Sequence, residues 1–564
     1  MPRPPLPTIG ADSFGLWGTK NNALWTDAHA SLDRVDPGSV NVLAGGTVTG
    51  NGTTDDTAAL AAKVAVGGHI FIPKPPGPRY RITGPIPVPP GTHITIDPNA
   101  IIRQETKYKP VFDALNADDV VIEGGRYEYV GDRSWTDVSS FRGENIYTYS
   151  AAVWSNGSRC RFRKLRGFGF TCVVMLSGWN GTALTNYYGD KNVVDEIDVD
   201  TIDFGVLFQG QSNLTVDNVR GTAVQSPSGP GGSHLVYGSD GARNRNVNGD
   251  SWLAHDCLTG HAVQLKGITG GTVTNIVENN CSGSLSLRDV TDMHLDVVSI
   301  NDQGLTGQGS LFIQDGISGC HRNVIDASLN MGASTRAARI AGSANRINLD
   351  VRSRHPATSD EYDIDIDTTA FGCDVTYSLR NTQDDGADYT TGRRGVLFRG
   401  TDNVLRPGVS RNARIDIEAV GTTNCTIDLT HFRSKLASVG GLFPLLLTSF
   451  GGRVIWPFGR RALSATTAIS EFDEVLEVDV TAAWHAMNLP TAASTPGRRL
   501  TFTKTDASAN GVQIVPNGTN TIVGPSIAAS STTPLLITSR YGFVTILSNG
   551  TVWRIIAMGG TVTT

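Results

Sequence analysis

Short runs in which apolar and polar residues alternate recur along most of the chain. Alternation with a period of two residues predicts β-strands that are buried on one face. A second alternating run often follows within about ten residues, and glycine, asparagine and aspartate separate the runs, as turns require. The first runs of these pairs begin 23 to 33 residues apart, at Gly205, His234, Ala262, Leu285, Leu311, Ala338, Tyr362 and Gly395.

A strand pair that recurs about every 27 residues predicts a solenoid, because stacking one turn on the next buries the apolar face that a single pair leaves exposed. Successive strands would pair in parallel about 4.8 Å apart. Cys257 and Cys281, 24 residues apart, could then form an interior ladder. The longer period of a β-propeller and the leucine consensus of leucine-rich repeats are both absent. We therefore expect an all-β, right-handed parallel β-helix of about fourteen turns over residues 40–435.

The composition narrows the class of protein further. Glycine accounts for 64 of 564 residues and charged residues for 18%. A net charge of −6 argues against a nucleic-acid partner. Seven scattered cysteines without a CxxC pair argue against a disulfide scaffold, a zinc site or a redox motif. The longest apolar stretch, residues 442–447, is too short for a membrane span, and residues 1–7 lack the apolar core of a secretory signal, so we expect synthesis in a cytoplasm and no membrane partner.

Residues 51–60, Asn-Gly-Thr-Thr-Asp-Asp-Thr-Ala-Ala-Leu, precede an alanine-rich helical stretch. Thr54 or Asp55 can cap this helix, and the carboxylates of Asp55 and Asp56 suit its positive end. Together with residues 67–73, 80–83, 86–96 and 120–125, the segment resembles the start of the pectate-lyase-like β-helix domain of bacteriophage tailspikes and depolymerases. The resemblance covers residues 40–435 and implies that both aspartates are structural. The proline-rich residues 73–78 are longer than the matching segment in that family.

Residues 475–555 resemble a small β-module that ends many phage tail fibres and spikes. The two resemblances imply a virion-attachment segment at residues 1–39, the β-helix at 40–435, a junction at 436–464 and a capping or trimerisation module at 465–564. They also imply a homotrimer on the phage tail, with a tail or baseplate protein and a host surface polysaccharide (capsule, lipopolysaccharide or another cell-wall glycan) as partners.

Two regions contain the residue types that bind or cleave polysaccharides. Residues 127–154 contain an insertion with aromatic side chains, of which Trp135, Tyr147 and Trp154 are candidates for sugar contact because aromatic faces suit the apolar faces of sugars. The alternative is an ordinary surface loop whose aromatics pack on the turn beneath.

The second region spans residues 233–289. Carboxylates one turn apart suit a retaining glycosidase and two turns apart an inverting one, whereas turn-forming aspartates are the alternative explanation. The alternation also predicts that His234 shares an outward ladder with Gln264, and Lys266 with Arg288. The catalytic candidates are Asp240, Asp256 and Glu278, and the substrate-binding candidates are His234, Trp252, Lys266 and Arg288.

No metal or other cofactor is required by these patterns. Asp363, Asp365 and Asp367 lie on one face of a predicted strand and could bind calcium, although a solvated face is the more frequent cause of such a pattern. The leading hypothesis is a phage tailspike that binds and cleaves host polysaccharide, by hydrolysis or elimination. The alternative is a receptor-binding or structural spike of the same fold without catalysis. A cellular pectin-type lyase or epimerase would be expected to carry a secretory signal.

Overall fold

The structure is a computed structural model that divides into two compact units, Met1–Gly342 and Ser343–Thr564. Together the units contain about fourteen turns of parallel β-solenoid and very little helix, which confirms the predicted fold class. No described helix is long and apolar enough to cross a membrane. The described residues are 38–106, 109–130, 150–178, 189–201, 203–223, 234–239, 243–258, 260–302, 308–314, 316, 319–331, 336–353, 362–381, 394–411, 415–428, 433–434, 445–455, 460–469, 473, 475–495, 497–524 and 527–564.

Among its described residues, the first unit contains a short helix, α1 (Thr57–Val64), and 24 strands. The strands are β1 (Val40–Asn41), β2 (Asn51–Asp55), β3 (His69–Ile72), β4 (Arg79–Ile82), β5 (Ile86–Pro87), β6 (His93–Gln104), β7 (Phe112–Ala114), β8 (Val121–Tyr129), β9 (Ala151–Ser155), β10 (Arg161–Phe168), β11 (Cys172–Leu176), β12 (Gly189–Asp190), β13 (Val193–Thr201), β14 (Phe204–Phe208), β15 (Gln211–Ala223), β16 (His234–Gly238), β17 (Asn244–His255), β18 (His261–Lys266), β19 (Ile268–Asn279), β20 (Gly283–Arg288), β21 (Thr291–Asp302), β22 (Leu311–Gln314), β23 (Val324–Met331) and β24 (Ala338–Ile340).

Each full turn of the first unit contributes one long and one short strand. The long strands pair in parallel in the order β8, β10, β13, β15, β17, β19, β21 and β23. The short strands pair in parallel in the order β9, β11, β14, β16, β18, β20, β22 and β24. Equivalent residues of successive turns therefore stack in columns about 4.8 Å apart.

The interior of the solenoid is filled by the apolar residues of the alternating runs. In β23, for example, Ile325, Ala327 and Leu329 are buried, while Asp326 and Ser328, which alternate with them, are partly exposed. Cys257 and Cys281 are both buried on successive turns, and the Cys257 backbone N–H lies 3.4 Å from Cys281 Sγ. This contact confirms the predicted interior cysteine ladder.

The corner at the start of most long strands, within two residues of the first strand residue, is a column of residues in the left-handed backbone region, with φ between 50° and 59° at seven positions. Asparagine and aspartate tolerate this conformation better than most residues, because their short polar side chains bond locally. Some neighbours in the column bond to each other, as in the ion pairs Arg159–Asp119 and Arg322–Asp292. The residues are Asp119, Arg159, Lys191, Asn213, Asn246, Asp292 and Arg322.

Buried asparagines join successive turns close to this corner. The Oδ1 atoms of Asn192, Asn244 and Asn323 accept hydrogen bonds from backbone N–H groups of the preceding turn at 2.8, 3.0 and 3.1 Å. Each Nδ2 donates to a backbone carbonyl. These side chains satisfy backbone groups that the corner removes from the strand ladder, as buried polar groups require.

The helix α1 lies next to the first strands, and Asp56 occupies its N-cap position. The Asp56 carboxylate accepts hydrogen bonds from the backbone N–H groups of Thr49 and Gly50 at 2.7 and 3.0 Å. Asp55 Oδ1 accepts a bond from the Thr57 backbone N–H at 3.0 Å. The Asp55 carboxylate therefore holds the backbone at the start of the helix, and the Asp56 carboxylate holds the segment before β2, in agreement with the structural role that the resemblance implies.

In the part of the second unit that the structure describes there are 20 strands. They are β25 (Arg346–Ser353), β26 (Tyr362–Ile366), β27 (Asp374–Asn381), β28 (Arg394–Thr401), β29 (Val404–Arg411), β30 (Ile415–Asp428), β31 (Arg433–Ser434), β32 (Leu445–Ile455), β33 (Arg460–Leu463), β34 (Thr467–Ala468), β35 (Val475–Val478), β36 (His485–Asn488), β37 (Arg499–Lys504), β38 (Val512–Val515), β39 (Ile522–Val523), β40 (Ala528–Ala529), β41 (Leu535–Ile537), β42 (Phe543–Ser548), β43 (Trp553–Gly559) and β44 (Val562–Thr563).

Parallel pairing continues within the second unit from β25 to β32, so that solenoid strands extend to Ile455. The strands β33 to β44 form a seven-stranded and a five-stranded sheet. One buried core, which includes Trp553, Phe502 and Leu476, fills the space between them. The chain thus changes from a solenoid to a mixed β-module after Ile455.

Candidate functional site

The short strands of the first unit present one outward side chain per turn in a continuous column. The strand register aligns each member with the next. This column and the residues that flank it on the same short strands are called the short-strand face. From Trp154 onward, the members are Trp154, Met175, Leu207, Tyr237, Gln264, Ser286, Phe312 and Arg339, and Pro87 and Asp113 precede Trp154 in the same column.

The first part of the short-strand face is apolar and closely packed. Trp154, Met175 and Leu207 are at most 7% exposed and pack with Phe204 in a cluster of their own. The Trp154 indole N–H donates to the Ser177 carbonyl at 3.1 Å. Trp154 therefore supports the face rather than presenting its ring to solvent. Trp135 and Tyr147, the other predicted aromatic contacts, lie outside the described residues.

The middle of the face is a half-buried tyrosine on an aromatic stack. The Tyr237 ring lies 4.7 Å from that of Phe204 and 5.4 Å from that of His234, with interplanar angles of 18° and 11°. Lys266 Nζ lies 3.2 Å from the Tyr237 hydroxyl and 5.1 Å from its ring centre. The stack fixes the ring of Tyr237, which is half-buried.

His234, a predicted substrate-binding residue, lies beneath this ring. It is 5% exposed, and its Nδ1 lies 2.6 Å from the His261 carbonyl oxygen. Burial lowers the pKa of His234 to about 3, so the imidazole is neutral near pH 7. The prediction of direct sugar contact is wrong in this respect, and His234 is a positioning residue for Tyr237.

The far end of the face combines amide, hydroxyl, aromatic and basic groups. Gln264 and Gln314 both donate to Ser286 Oγ, at 3.4 and 3.0 Å. The Phe312 ring stacks on that of buried His261, and the Arg339 guanidinium lies 5.7 Å from the Phe312 ring centre. This set offers donors, acceptors and an apolar ring within a few turns.

A second outward column runs beside the first. Lys266 pairs with Arg288, and Arg288 pairs with Gln314. The predicted Lys266–Arg288 ladder is confirmed. The predicted His234–Gln264 ladder is wrong, because the register aligns Gln264 with Tyr237.

The three predicted catalytic carboxylates are not brought together. Asp240 lies outside the described residues. Asp256 is an exposed corner residue with φ 54°, and its Oδ1 accepts a hydrogen bond from Asn280 Nδ2 at 2.6 Å. This bond lowers the pKa of Asp256, which is unfavourable for a general acid. The contacts favour the turn-forming alternative for Asp256.

Glu278 is fully buried inside the solenoid, so its predicted contact with a polysaccharide is wrong. Its strand bends at Asn275, a left-handed residue, and the register shifts between Val273 and Ile276. Such a bend reverses which residues of the alternation point inward. The burial of Glu278 raises its pKa well above the ordinary value, and the charge of Asp302 adds to this effect.

The prediction that Trp252 contacts substrate is also wrong, because a bend in its strand again turns the side chain inward. The left-handed residue Ser251 bends the strand immediately before it. The Trp252 side chain is fully buried, and its indole N–H donates to the Val216 carbonyl at 2.7 Å. Trp252 therefore belongs to the core.

In the second unit, Asp363, Asp365 and Asp367 alternate with two isoleucines that are fully buried. The predicted common face is present, but the carboxylates are at most 8% exposed and thus do not form a solvated face. Arg399 Nη2 lies 2.6 Å from Asp365 Oδ1 and 3.9 Å from Asp367 Oδ2. Burial raises the pKa of Asp363 well above its usual range. A guanidinium thus lies beside two of the oxygens that a calcium ion would need.

Sequence reasoning missed Glu418, which belongs to the same side of the second unit. Asp365 pairs with Leu397 and Leu397 with Glu418, so the two acidic residues lie two turns apart in one outward column. Glu418 Oε2 accepts a hydrogen bond from the Tyr362 hydroxyl at 2.6 Å. Two turns correspond to about 9.6 Å between backbones, close to the upper end of the carboxyl separation of inverting glycosidases.

A possible metal-ligand group lies on a long-strand sheet of the first unit. The ligand atoms of His294, Asp296 and Asp326 all lie within 4.8 Å of one another. Among the described residues, no other group of three or more histidine, cysteine or acidic residues is as closely spaced. His294 is exposed and the two aspartates are half-buried. Such surface groups are common without a metal, and we assign no metal role to this one.

No protein-family model and no curated protein matches the sequence. The solved structures that resemble it include tailspike protein 2 of bacteriophage CBA120, at 12% identity and a TM-score of 0.34, over 93% of this chain and 71% of that one. They also include an alpha-1,3-glucanase from Streptomyces thermodiastaticus, at 14% identity and a TM-score of 0.36, over 75% of this chain and 70% of that one. An endo-xylogalacturonan hydrolase from Aspergillus tubingensis matches at 13% identity and a TM-score of 0.31, over 78% of this chain and 95% of that one. These values give no correspondence between individual residues.

Proposed function

We propose that this protein is a phage tailspike that binds a host surface polysaccharide and cleaves it by hydrolysis. The observation that carries the proposal is the short-strand face, on which Tyr237 and Phe312 present half-buried rings three turns apart. Three turns correspond to about 14 Å, a distance that an extended glycan spans. Gln264 lies between the rings and is half-buried, so that its amide can meet sugar hydroxyls, while the buried Ser286 accepts hydrogen bonds from Gln264 and Gln314 beneath it.

We assign cleavage to the Asp365–Glu418 pair of the second unit. In an inverting mechanism, Glu418 would protonate the glycosidic oxygen as that bond breaks. Asp365 would take a proton from the water that attacks the anomeric carbon from the opposite side. The Arg399 guanidinium holds Asp365, and the Tyr362 hydroxyl, which donates a hydrogen bond to Glu418, has to release Glu418 before that residue can act as the acid. Because the two carboxyl groups are 3% and 9% exposed, this assignment requires the groups that cover them to move aside when substrate binds.

The test is to incubate the purified protein with capsule and lipopolysaccharide preparations and to measure new reducing ends. We expect products from the wild type, and at least a 100-fold slower rate from Asp365→Asn and from Glu418→Gln, because general acid–base catalysis contributes about 10²–10⁴-fold. Asp374→Asn is the matched control, since Asp374 pairs with Arg406 on a long strand of the same unit. NMR of the first product should show inversion at the anomeric carbon.

The second candidate function is receptor binding without catalysis. It is favoured by the burial of Asp365 and Glu418 and by the separation of the carboxylates near the short-strand face. Binding without new reducing ends, and without an unsaturated uronate product, would support this candidate and overturn the cleavage assignment.

The tailspike proposal also includes a homotrimer on the virion that docks on a tail or baseplate protein. Cyclic symmetry is the commonest way in which identical chains close into an assembly. Light scattering should give about three times the chain mass of 59.9 kDa, whereas the mass of one chain would contradict the trimer.

A further inference from the structure

We propose that one end of the C-terminal β-module (β33 to β44) binds the pyranose rings of a polysaccharide through the aromatic rings of Trp484 and Tyr541. This inference goes beyond the proposed function, because the β-module belongs to the second unit and the short-strand face to the first. The loops 479–484, 505–511 and 538–542 form this part of the β-module and are called the module end.

The strand pairing brings the three loops of the module end together. β37 runs parallel to β35 and antiparallel to β42, so the loop after β35, the loop after β37 and the loop before β42 lie at the same end of their sheet. The first loop finishes at Trp484, directly before β36, and the third contains Tyr541. These residues are 44% and 64% exposed. Loops that a rigid scaffold positions are frequent carriers of binding residues.

A buried lysine fixes the first two loops. Lys504 is fully buried, and its Nζ donates hydrogen bonds to the carbonyl oxygens of Asp506 and Ser508 at 2.7 and 3.0 Å and to Asp506 Oδ1 at 2.9 Å. Asp506 Oδ2 accepts a bond from the Val480 backbone N–H at 2.8 Å. Asn510 Nδ2 donates to the Val480 carbonyl at 2.9 Å. The two loops are therefore ordered without a ligand, which reduces the entropy cost of binding one.

The indole of Trp484 lies against the backbone of the second loop. A Cβ atom at Gly511 would lie 2.4 Å from Trp484 Cζ3, so only glycine lets the indole approach this closely. The backbone N–H of His485, the next residue, donates to the Gly511 carbonyl at 3.4 Å. The ring is thus supported from below while much of Trp484 stays exposed. Such a ring can stack on the apolar face of a sugar.

Tyr541 adopts a left-handed backbone conformation, with φ 58°. Among the described residues other than glycine that have positive φ, it is the single aromatic one. Asparagine or glycine would adopt this conformation with less strain, so a bulky residue here points to a function of its ring. The Tyr541 backbone N–H donates to the Lys504 carbonyl at 2.7 Å, which ties the third loop to the buried lysine.

The polar groups of the module end favour a saccharide over a protein as its ligand. Asp479, Thr481 and Arg540 are exposed in the loops that carry the two rings. Carboxylate, hydroxyl and guanidinium groups suit sugar hydroxyls, whereas the cores of protein interfaces are depleted of charged residues. The exposed apolar residues Ile556 and Met558 lie within β43 and outside these loops.

The test measures the binding of the full chain to immobilised capsule and lipopolysaccharide preparations by biolayer interferometry. We expect Trp484→Ala and Tyr541→Asn each to lose about tenfold or more in affinity, because the truncation of tryptophan and tyrosine anchors has the largest effects on binding. Asparagine tolerates the left-handed conformation and removes the ring. Circular dichroism should show the same fold for both variants and the wild type.

Phe371→Ala is the matched control, because it removes an aromatic ring that is 52% exposed on the solenoid part of the same unit. Its affinity should equal that of the wild type. Wild-type affinity in Trp484→Ala and Tyr541→Asn would overturn the inference. A changed assembly mass of Trp484→Ala in light scattering would also overturn it, since the module end would then join copies of the chain.

Tyr237→Ala separates the module end from the short-strand face. If only Tyr237→Ala loses affinity, the inference is overturned and the proposed function stands. If only the two module-end variants lose affinity, the inference stands and the short-strand face is not the binding surface. A wild type that binds none of the preparations would overturn both.

Discussion

Replacing Glu278 by glutamine should remove a pH-dependent component of the stability of the first unit. Glu278 and Asp302 are both fully buried. Ser284 Oγ lies 3.4 Å from Glu278 Oε1 and 3.3 Å from Asp302 Oδ2. Burial and the charge of Asp302 raise the pKa of Glu278 well above its ordinary value. The folded protein therefore holds a proton that the unfolded chain releases near a pH of about 4.3.

The sign and size of the effect follow from this proton. Because the pKa is higher in the folded state, the stability that the proton confers is complete below about pH 4.3 and is lost as the pH rises toward the folded pKa. A difference of one bound proton changes the free energy of unfolding by about 1.4 kcal/mol per pH unit. Two pH units within this window thus cost about 2.7 kcal/mol. Glutamine resembles the protonated acid in shape and carries no titrating group, so the variant should lack this loss.

The assay compares thermal unfolding of the wild type and Glu278→Gln by circular dichroism between about pH 5 and 8, at one scan rate. The Tm of the wild type should fall relative to that of the variant as the pH rises, since both proteins share all other titrating groups. Asp118→Asn, which removes an exposed carboxylate at a corner of the same unit, should follow the wild type. Parallel curves of Tm against pH for the wild type and Glu278→Gln would refute the reasoning.

Two further predictions concern the interior. Trp252→Ala should lower the stability of its region by about 3–5 kcal/mol through the cavity it leaves, whereas Trp252→Phe should cost less. Hydrogen exchange in β15 and β19 should become faster in the alanine variant. Unchanged exchange in that variant would contradict the core assignment. Asn323→Ala should cost about 1–3 kcal/mol in urea unfolding, because the Met293 N–H loses its acceptor. Asn246→Gly at the exposed corner, which keeps the left-handed backbone conformation without strain, should lie within about 0.5 kcal/mol of the wild type. Equal costs would contradict the role of the buried asparagines.

The sequence predicted the fold because the signal for a solenoid is local and repeated. Each alternating run marks a strand, and the period between runs marks one turn. The Lys266–Arg288 ladder was predictable for the same reason, since the runs that contain the two residues align without a break. The interior ladder of Cys257 and Cys281 was predictable from the 24 residues that separate them, which is close to one turn.

The errors arose where one residue changes the direction of the chain. Ser251 and Asn275 adopt left-handed conformations and bend their strands, so Trp252 and Glu278 point inward although the simple alternation placed them outside. Neither serine nor asparagine marks such a bend unambiguously in a single sequence.

The candidate catalytic pair was not predictable from the sequence, because it depends on contacts between distant residues. Tyr362 and Glu418 are 56 residues apart in the chain. Glu418 is a single acidic residue between Ile417 and Ala419, and only the register of three strands shows that it shares a column with Asp365.

The most direct test of the account is a crystal structure of the protein with a bound oligosaccharide of its host polysaccharide. We predict sugar rings against Tyr237 and Phe312 on the short-strand face. An oligosaccharide bound at another surface of the chain, with the short-strand face unoccupied, would contradict the central claim.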